Sequence, residues 1–120
     1  MIMKYKPAYK KIAMGLLSYM PNLKDVKMLQ ETIQQYENDE TMKLYLWKKE
    51  DDVVGVLGYQ EQDGDLILRH VCVNPSYRDE GIGSTMVSTV EERQGKTLRG
   101  SSETLGFLQS CKRLNKENGM

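Results

Sequence analysis

Cysteine is scarce in this chain, and with it any covalent framework. Only Cys72 and Cys111 occur among 120 residues, and they form no CxxC pair. A disulfide scaffold or a metal site is not expected, and a reduced, cytoplasmic protein is the simplest reading. An excess of either charge is lacking too, since seventeen Lys and Arg balance seventeen Asp and Glu. A nucleic-acid partner calls for a basic face, so that class is set aside. Apolar runs are short, as in Leu66-Ile67-Leu68, far below the ~18 residues of a membrane span. Lys4, Lys6, Lys10 and Lys11 stand where a signal peptide needs apolar residues, so secretion is not expected. There is no internal repeat. With 39% apolar and 28% charged residues, the chain reads as one soluble domain over 1–120. Its core is expected at about residues 2–113, with a polar tail over about 115–120.

Hydrophobic spacing supplies the elements. Ile2 to Lys6 alternates and suits a short strand. Ile12, Leu16, Tyr19 and Met20 lie on one face of a helix that Pro21 ends. Asn22, with Asp25 three residues on, reads as the N-cap of a helix running through Val26, Leu29, Ile33 and Tyr36 to about Asn38. Period two follows at Met42, Leu44 and Leu46, and a second strand spans Val53–Tyr59. Asp63-Gly64 is a hairpin signal. Leu66–Val73 is apolar at nearly every position, as a strand covered on both faces would be. Ile82, Met86 and Val90 mark a further helix closed by Gly95. Lys96–Arg99 makes a very short strand, and Ser101 or Ser102 caps a last helix with Leu105, Leu108, Cys111 and Leu114 on its stripe. The order β-α-α-β-β-β-α-β-α predicts an α/β domain with a mixed sheet and helices on its faces.

The informative stretch is Val73-Asn74-Pro75-Ser76-Tyr77-Arg78-Asp79-Glu80-Gly81-Ile82-Gly83-Ser84. A buried strand stops at a proline, and Arg78, Gly81 and Gly83 open a helix. The first helical amides lack internal partners, and the dipole leaves them partly positive. Glycines let an anion approach that backbone, which suits a phosphate or pyrophosphate. Relief of turn strain alone is the other reading of these glycines. A P-loop is ruled out because no Lys follows Gly83, and a dinucleotide fingerprint lacks its third glycine.

This stretch resembles the Gcn5-related N-acetyltransferase family, whose signature R/Q-x-x-G-x-G/A follows a strand and a Val-x-Pro. The element order is similar over roughly residues 2–113. The resemblance implies an acetyl-CoA cleft where two parallel strands splay, here Leu66–Val73 and Lys96–Arg99. It implies that backbone groups at Val71 and Val73, flanking Cys72, pair with the pantetheine arm. It also implies that the amides from Arg78 through Asp79, Glu80, Gly81, Ile82 and Gly83 to Ser84 hold the pyrophosphate, with Arg78 adding charge. The implied reaction is transfer of an acetyl group to an amine of unidentified acceptor. The other reading is a non-catalytic acyl-CoA-binding or regulatory protein associated with riboflavin metabolism. The short length and the absence of a Tyr from the last helix favour that reading, and its riboflavin link comes from a narrower similarity of Lys11–Ser18, Met20-Pro21-Asn22 and Arg69-His70 to a short protein of riboflavin operons.

The pattern departs from the family in two places. Many relatives carry a Tyr in the last helix; Leu108 stands at the corresponding place here, and no Tyr follows Tyr77. Many also carry a carboxylate on the central strand, where Arg69 and His70 stand. His70 is the only histidine. It is either a general base or a buried ring bonded to its surroundings. Strict alternation puts Cys72 on the face of Leu68 and His70, as a core residue. Relatives usually add two strands after the last helix; only about a dozen residues follow Phe107 here, so these C-terminal strands are expected to be missing and Lys96–Arg99 to lie at an exposed sheet edge, where a homodimer could form.

Overall fold

A computed structural model describes the backbone of residues 1–118 and the side chains of residues 1–111. The chain folds into one five-stranded sheet ordered β1-β2-β3-β4-β5. These strands are β1 (Ile2–Lys4), β2 (Met42–Lys49), β3 (Asp52–Gln62), β4 (Asp65–Val73) and β5 (Leu98–Gly100). β1 to β4 are antiparallel neighbours, while β5 runs parallel to β4. The four α-helices among the described residues are α1 (Lys10–Leu17), α2 (Val26–Asn38), α3 (Ile82–Gln94) and α4 (Leu105–Asn118). The expected element order holds. α4 continues through the start of the segment read as a tail, and the side chain of Leu114 lies outside the described residues.

Two cores sandwich the sheet. Leu16, Leu17, Leu29, Ile33 and Tyr36 of α1 and α2 pack on Leu44, Leu46, Val56 and Cys72. Met86, Val87, Val90 and Leu108 of α3 and α4 pack on Tyr45, Leu57, Tyr59, Leu66 and Leu68. The β3–β4 hairpin turns at Asp63 (φ 51°) and Gly64 (φ 86°), the two left-handed positions that an Asp-Gly turn supplies.

Three local expectations are corrected. α1 stops at Leu17, four residues before Pro21, because Ser18, Tyr19 and Met20 fold into a tight turn on the carbonyls of Met14, Leu16 and Leu17. Its inward stripe is therefore Ala13, Leu16 and Leu17, continued by Met20 of the turn, while Ile12 and Tyr19 are each 43% exposed. The cap of α2 is Asp25, whose carboxylate accepts from the Lys27 amide at 2.8 Å, and Val26 is exposed. The hydroxyl ahead of α4 belongs to Thr104 and turns inward to the Leu68 carbonyl at 2.7 Å.

Candidate functional site

β4 carries a one-residue bulge. His70 pairs with Gly58 and Leu68 with Tyr59, which leaves Arg69 without a partner on β3. Faces exchange at a bulge. Leu66 and Leu68 therefore join the core under α3, whereas Cys72 joins the core under α1 and α2. The expectation that Leu68, His70 and Cys72 share a face is thereby corrected. Val71 and Val73 pack against the α3 core instead.

The same stretch loses its parallel neighbour. β4 and β5 pair at Leu66–Leu98, Ile67–Arg99 and Leu68–Gly100, and no further pair follows. Two features end the ladder there. The Thr104 hydroxyl takes the Leu68 carbonyl. α4 also begins so close to Gly100 that a Cβ there would meet the Leu105 Cα at 2.8 Å. Beyond this split, the Asn74 amide bonds to Val54 of β3. Backbone direction alternates along a strand, so the amides and carbonyls of Val73 and Val71 face the open edge. The Arg78 side chain reaches that edge and donates from Nε to the Val73 carbonyl at 3.3 Å.

The open edge leads into the start of α3. Gly81 precedes the helix with φ 76°, and the first intrahelical bond is from the Thr85 amide to the Gly81 carbonyl. The amides of Ile82, Gly83 and Ser84 thus lie ahead of any helical partner. Strand edge and helix start line one cleft of about 450 Å³, together with Arg78 and Asp79. Val71, Cys72, Val73, Arg78, Asp79, Gly81, Ile82, Gly83 and Ser84 all reach it. Glu80 does not line the cleft; its carboxylate pairs with Lys49. His70 does not line it either, but lies just past the split, buried under α2. Tyr19, Met20, Pro21, Tyr77 and Phe107 complete the walls. The first three were visible in the sequence only as a helix ending.

Each glycine has its own physical role. At Gly81 a side chain would have space, and the positive φ is what favours glycine. At Gly83 a Cβ would stand 2.6 Å from the Phe107 ring, so this glycine admits α4 against α3. Arg78 also lies 5.7 Å from the centre of the Tyr19 ring, within cation–π range. Cys72 is no nucleophile in this setting, because burial pushes its thiol up to about 12 despite the cations Arg78 and Lys24. Burial also holds His70 down at about 4, with Glu103 opposing and Arg69 assisting.

Asp79 sits awkwardly in this loop. It has φ 70°, a left-handed conformation that costs a non-glycine residue, and it lines the cleft. Asp79→Gly should tighten the binding of a diphosphate-bearing ligand about fivefold without loss of stability. One like-charge contact near 4 Å in water is worth about 1 kcal/mol. Calorimetric titration with coenzyme A is the check, and equal affinities would mean that the Asp79 carboxylate does not face the ligand.

Comparison with known proteins bears on the same residues. The model of the Acetyltransferase (GNAT) family matches residues 10–114. An uncharacterized N-acetyltransferase in the lysA 3' region of Bacillus methanolicus is 43% identical over 113 residues, covering 92% of this chain and 94% of its own. Among solved structures, the aminoglycoside acetyltransferase AAC(6')-Iy in complex with a bisubstrate analog superposes with TM-score 0.75 at 10% identity. That match covers 100% of this chain and 89% of the other. A possible acetyltransferase from Clostridium difficile 630 gives 0.74 at 15% identity, over 96% and 88% of the two chains.

Proposed function

Because the chain belongs to the acetyltransferase (GNAT) family, we propose that it is an N-acetyltransferase that takes its acetyl group from acetyl-CoA. The observation that carries this reading is the continuity of the cleft: a free strand edge at Val71 and Val73 runs into the unpartnered amides of α3. The edge offers a pantetheine arm the donors and acceptors that an added strand would offer. The amides of Ile82, Gly83 and Ser84 suit a pyrophosphate, and Arg78 supplies a cation. When bound, acetyl-CoA supplies a thioester carbonyl. The Val71 amide, first on the open edge beyond the bulge, is placed to donate to an oxygen that gains charge. Arg78 releases the Val73 carbonyl so that the arm can pair there. His70 directly follows the bulge at the split, just ahead of the Val71 amide and outside the lining of the cleft, and its ring is the side chain we assign to the reaction.

The acceptor is an amine. Within the family, Lys11–Ser18 and Met20-Pro21-Asn22 resemble RibT, the short acetyltransferase-like protein of riboflavin operons, and that resemblance alone supports a link to riboflavin metabolism. The two free, buried cysteines suit a reduced cytoplasmic compartment. A closed homodimer across the outer edge of β5 belongs to the same reading. That edge is short and carries Arg99, 3.6 Å from Asp65, and light scattering decides it.

Acetyl-CoA at a hundredfold excess over its Kd should stabilise the fold by about 2.7 kcal/mol. Arg78→Glu should weaken binding about tenfold or more, as expected for loss of a charge-assisted contact. Melting curves unchanged by acetyl-CoA would overturn the reading. Binding without transfer to any amine in a broad panel would favour a non-catalytic acyl-CoA-binding protein.

A further inference from the structure

We infer that Tyr36 is a positioning residue that holds His70 as a neutral imidazole with its proton on Nε2, so that His70 serves acyl transfer as a hydrogen-bond donor and not as a base. The inference rests on the acetyl-transfer reading for its kinetic part alone. Its structural part stands on three elements. Tyr36 of α2 is 7% exposed and His70 of β4 is 8% exposed. The Tyr36 hydroxyl lies 2.5 Å from His70 Nδ1, and the two rings meet edge-on at 69° with centres 5.6 Å apart. Gly58 of β3 is the ladder partner of His70. A Cβ at Gly58 would fall 2.0 Å from the Tyr36 hydroxyl oxygen. The phenol therefore occupies space that glycine leaves open, directly opposite the imidazole.

Proton accounting fixes the direction of the bond. Among the described residues the Tyr36 hydroxyl has no other hydrogen-bond partner. If the phenol donates to Nδ1, the phenol proton and the Nδ1 lone pair are both satisfied, and the ring proton of a neutral histidine resides on Nε2, which has no partner among the described residues. If Nδ1–H donated instead, the phenol proton would be buried without an acceptor, a costly arrangement. The surrounding charges do not reverse this. Burial keeps Tyr36 protonated. The Arg69 guanidinium, on the strand itself, donates to the side-chain oxygen Oε1 of Gln60 at 2.7 and 3.1 Å. Glu103, from the segment before α4, favours the charged ring, yet burial outweighs it. A base needs a bare ring nitrogen, and this pairing leaves none, since Nδ1 accepts from the phenol and Nε2 carries the proton.

The single histidine makes the test clean. In protein labelled with 15N-histidine at pH 7, the ring should show a protonated Nε2 and a bare Nδ1, and Tyr36→Phe should give a mixture of tautomers. His70→Gln keeps a donor at the place of Nε2 but cannot act as a base. It should retain acetyl transfer to within about tenfold, whereas His70→Ala should lose about a hundredfold in kcat, the scale of one lost transition-state donor. Tyr36→Phe should lower kcat about tenfold and leave KM for acetyl-CoA unchanged. A proton on Nδ1, or a His70→Gln variant as inactive as His70→Ala, would overturn the inference. A chain that acetylates no amine overturns the transfer reading, while the ring spectrum still decides the pairing.

Discussion

Lowering the pH from 7 to 5 should cost the folded protein about 2 kcal/mol, and His70→Gln should remove most of that dependence. The cause is the burial of the one histidine between α2 and β4. An unfolded histidine takes up its proton near 6.5, whereas burial holds the native ring at about 4. Between those values the unfolded chain binds more protons than the native chain, so acid favours unfolding. The stability this ring contributes is fully present above 6.5 and is lost as the pH falls towards 4. The whole interval is worth about 3 kcal/mol, and by pH 5 roughly 2 kcal/mol is gone. Asp39, bonded to Thr41, and Glu103, bonded to nearby backbone and serine groups, are both held below their ordinary values. The stability they contribute is present above those ordinary values and is lost as the pH falls through the native ones, so the measurement is confined to pH 7 and pH 5. Urea unfolding of the parent and of His70→Gln at pH 7 and pH 5 gives the four required free energies. Equal pH dependence in the two proteins would mean that the native ring titrates normally.

That histidine also shows where the sequence was readable. The helix and strand order followed from spacing and from the turn signals at Asp63-Gly64, Pro75 and Gly95, because each of these acts locally on the backbone. The cleft was legible for a related reason. The roles we propose for it fall on backbone groups: a strand ending in proline before a glycine-opened helix sets the amides of Ile82–Ser84 whatever the side chains are, and the family resemblance implied those of Val71 and Val73. Side-chain direction was less legible. A strict period of two sends Leu68 and His70 to one face, and the unpaired Arg69 sends them to opposite faces. No residue type announces that bulge, since Arg69 is an ordinary strand residue and the bulge lies opposite the Gly58–Tyr59 step of another strand. The roles of Gly58, Gly83 and Gly100 were hidden likewise. Gly58 and Gly83 are glycine because of a residue far along the chain, Tyr36 or Phe107, and Gly100 because α4 folds back on it at Leu105. The end of α1 was misplaced for the opposite reason. Pro21 is a visible stop, but Ser18 and its neighbours had already closed a turn.

Gly58→Ala should be among the most damaging single-methyl changes this chain can carry, costing about 3 kcal/mol or more. The methyl group would stand 2.0 Å from the Tyr36 hydroxyl oxygen and 2.4 Å from the ring carbon that bears it. Neither side yields easily. Gly58 lies in β3 between β2 and β4, and Tyr36 is anchored in α2 among Leu29, Ile33 and Leu44. Overpacking of this kind costs about 1–3 kcal/mol. Pushing the phenol aside also breaks its bond to His70 and leaves a buried ring nitrogen unpaired, a further 1–3 kcal/mol. At about 4 °C per kcal/mol for a domain of this size, Tm should fall by about 10 °C or more. A double-mutant cycle separates this account from a general intolerance of β3. Tyr36→Ala alone empties the space and should cost about 3–5 kcal/mol, as for other large aromatic truncations. Adding Gly58→Ala to it should then cost less than about 1 kcal/mol, because the methyl group no longer meets anything rigid. The two changes would be strongly non-additive, as expected of residues in direct contact. If Gly58→Ala costs as much in the Tyr36→Ala background as in the parent, the strain lies in the β3 backbone. The glycine would then be there for the strand and not for the phenol.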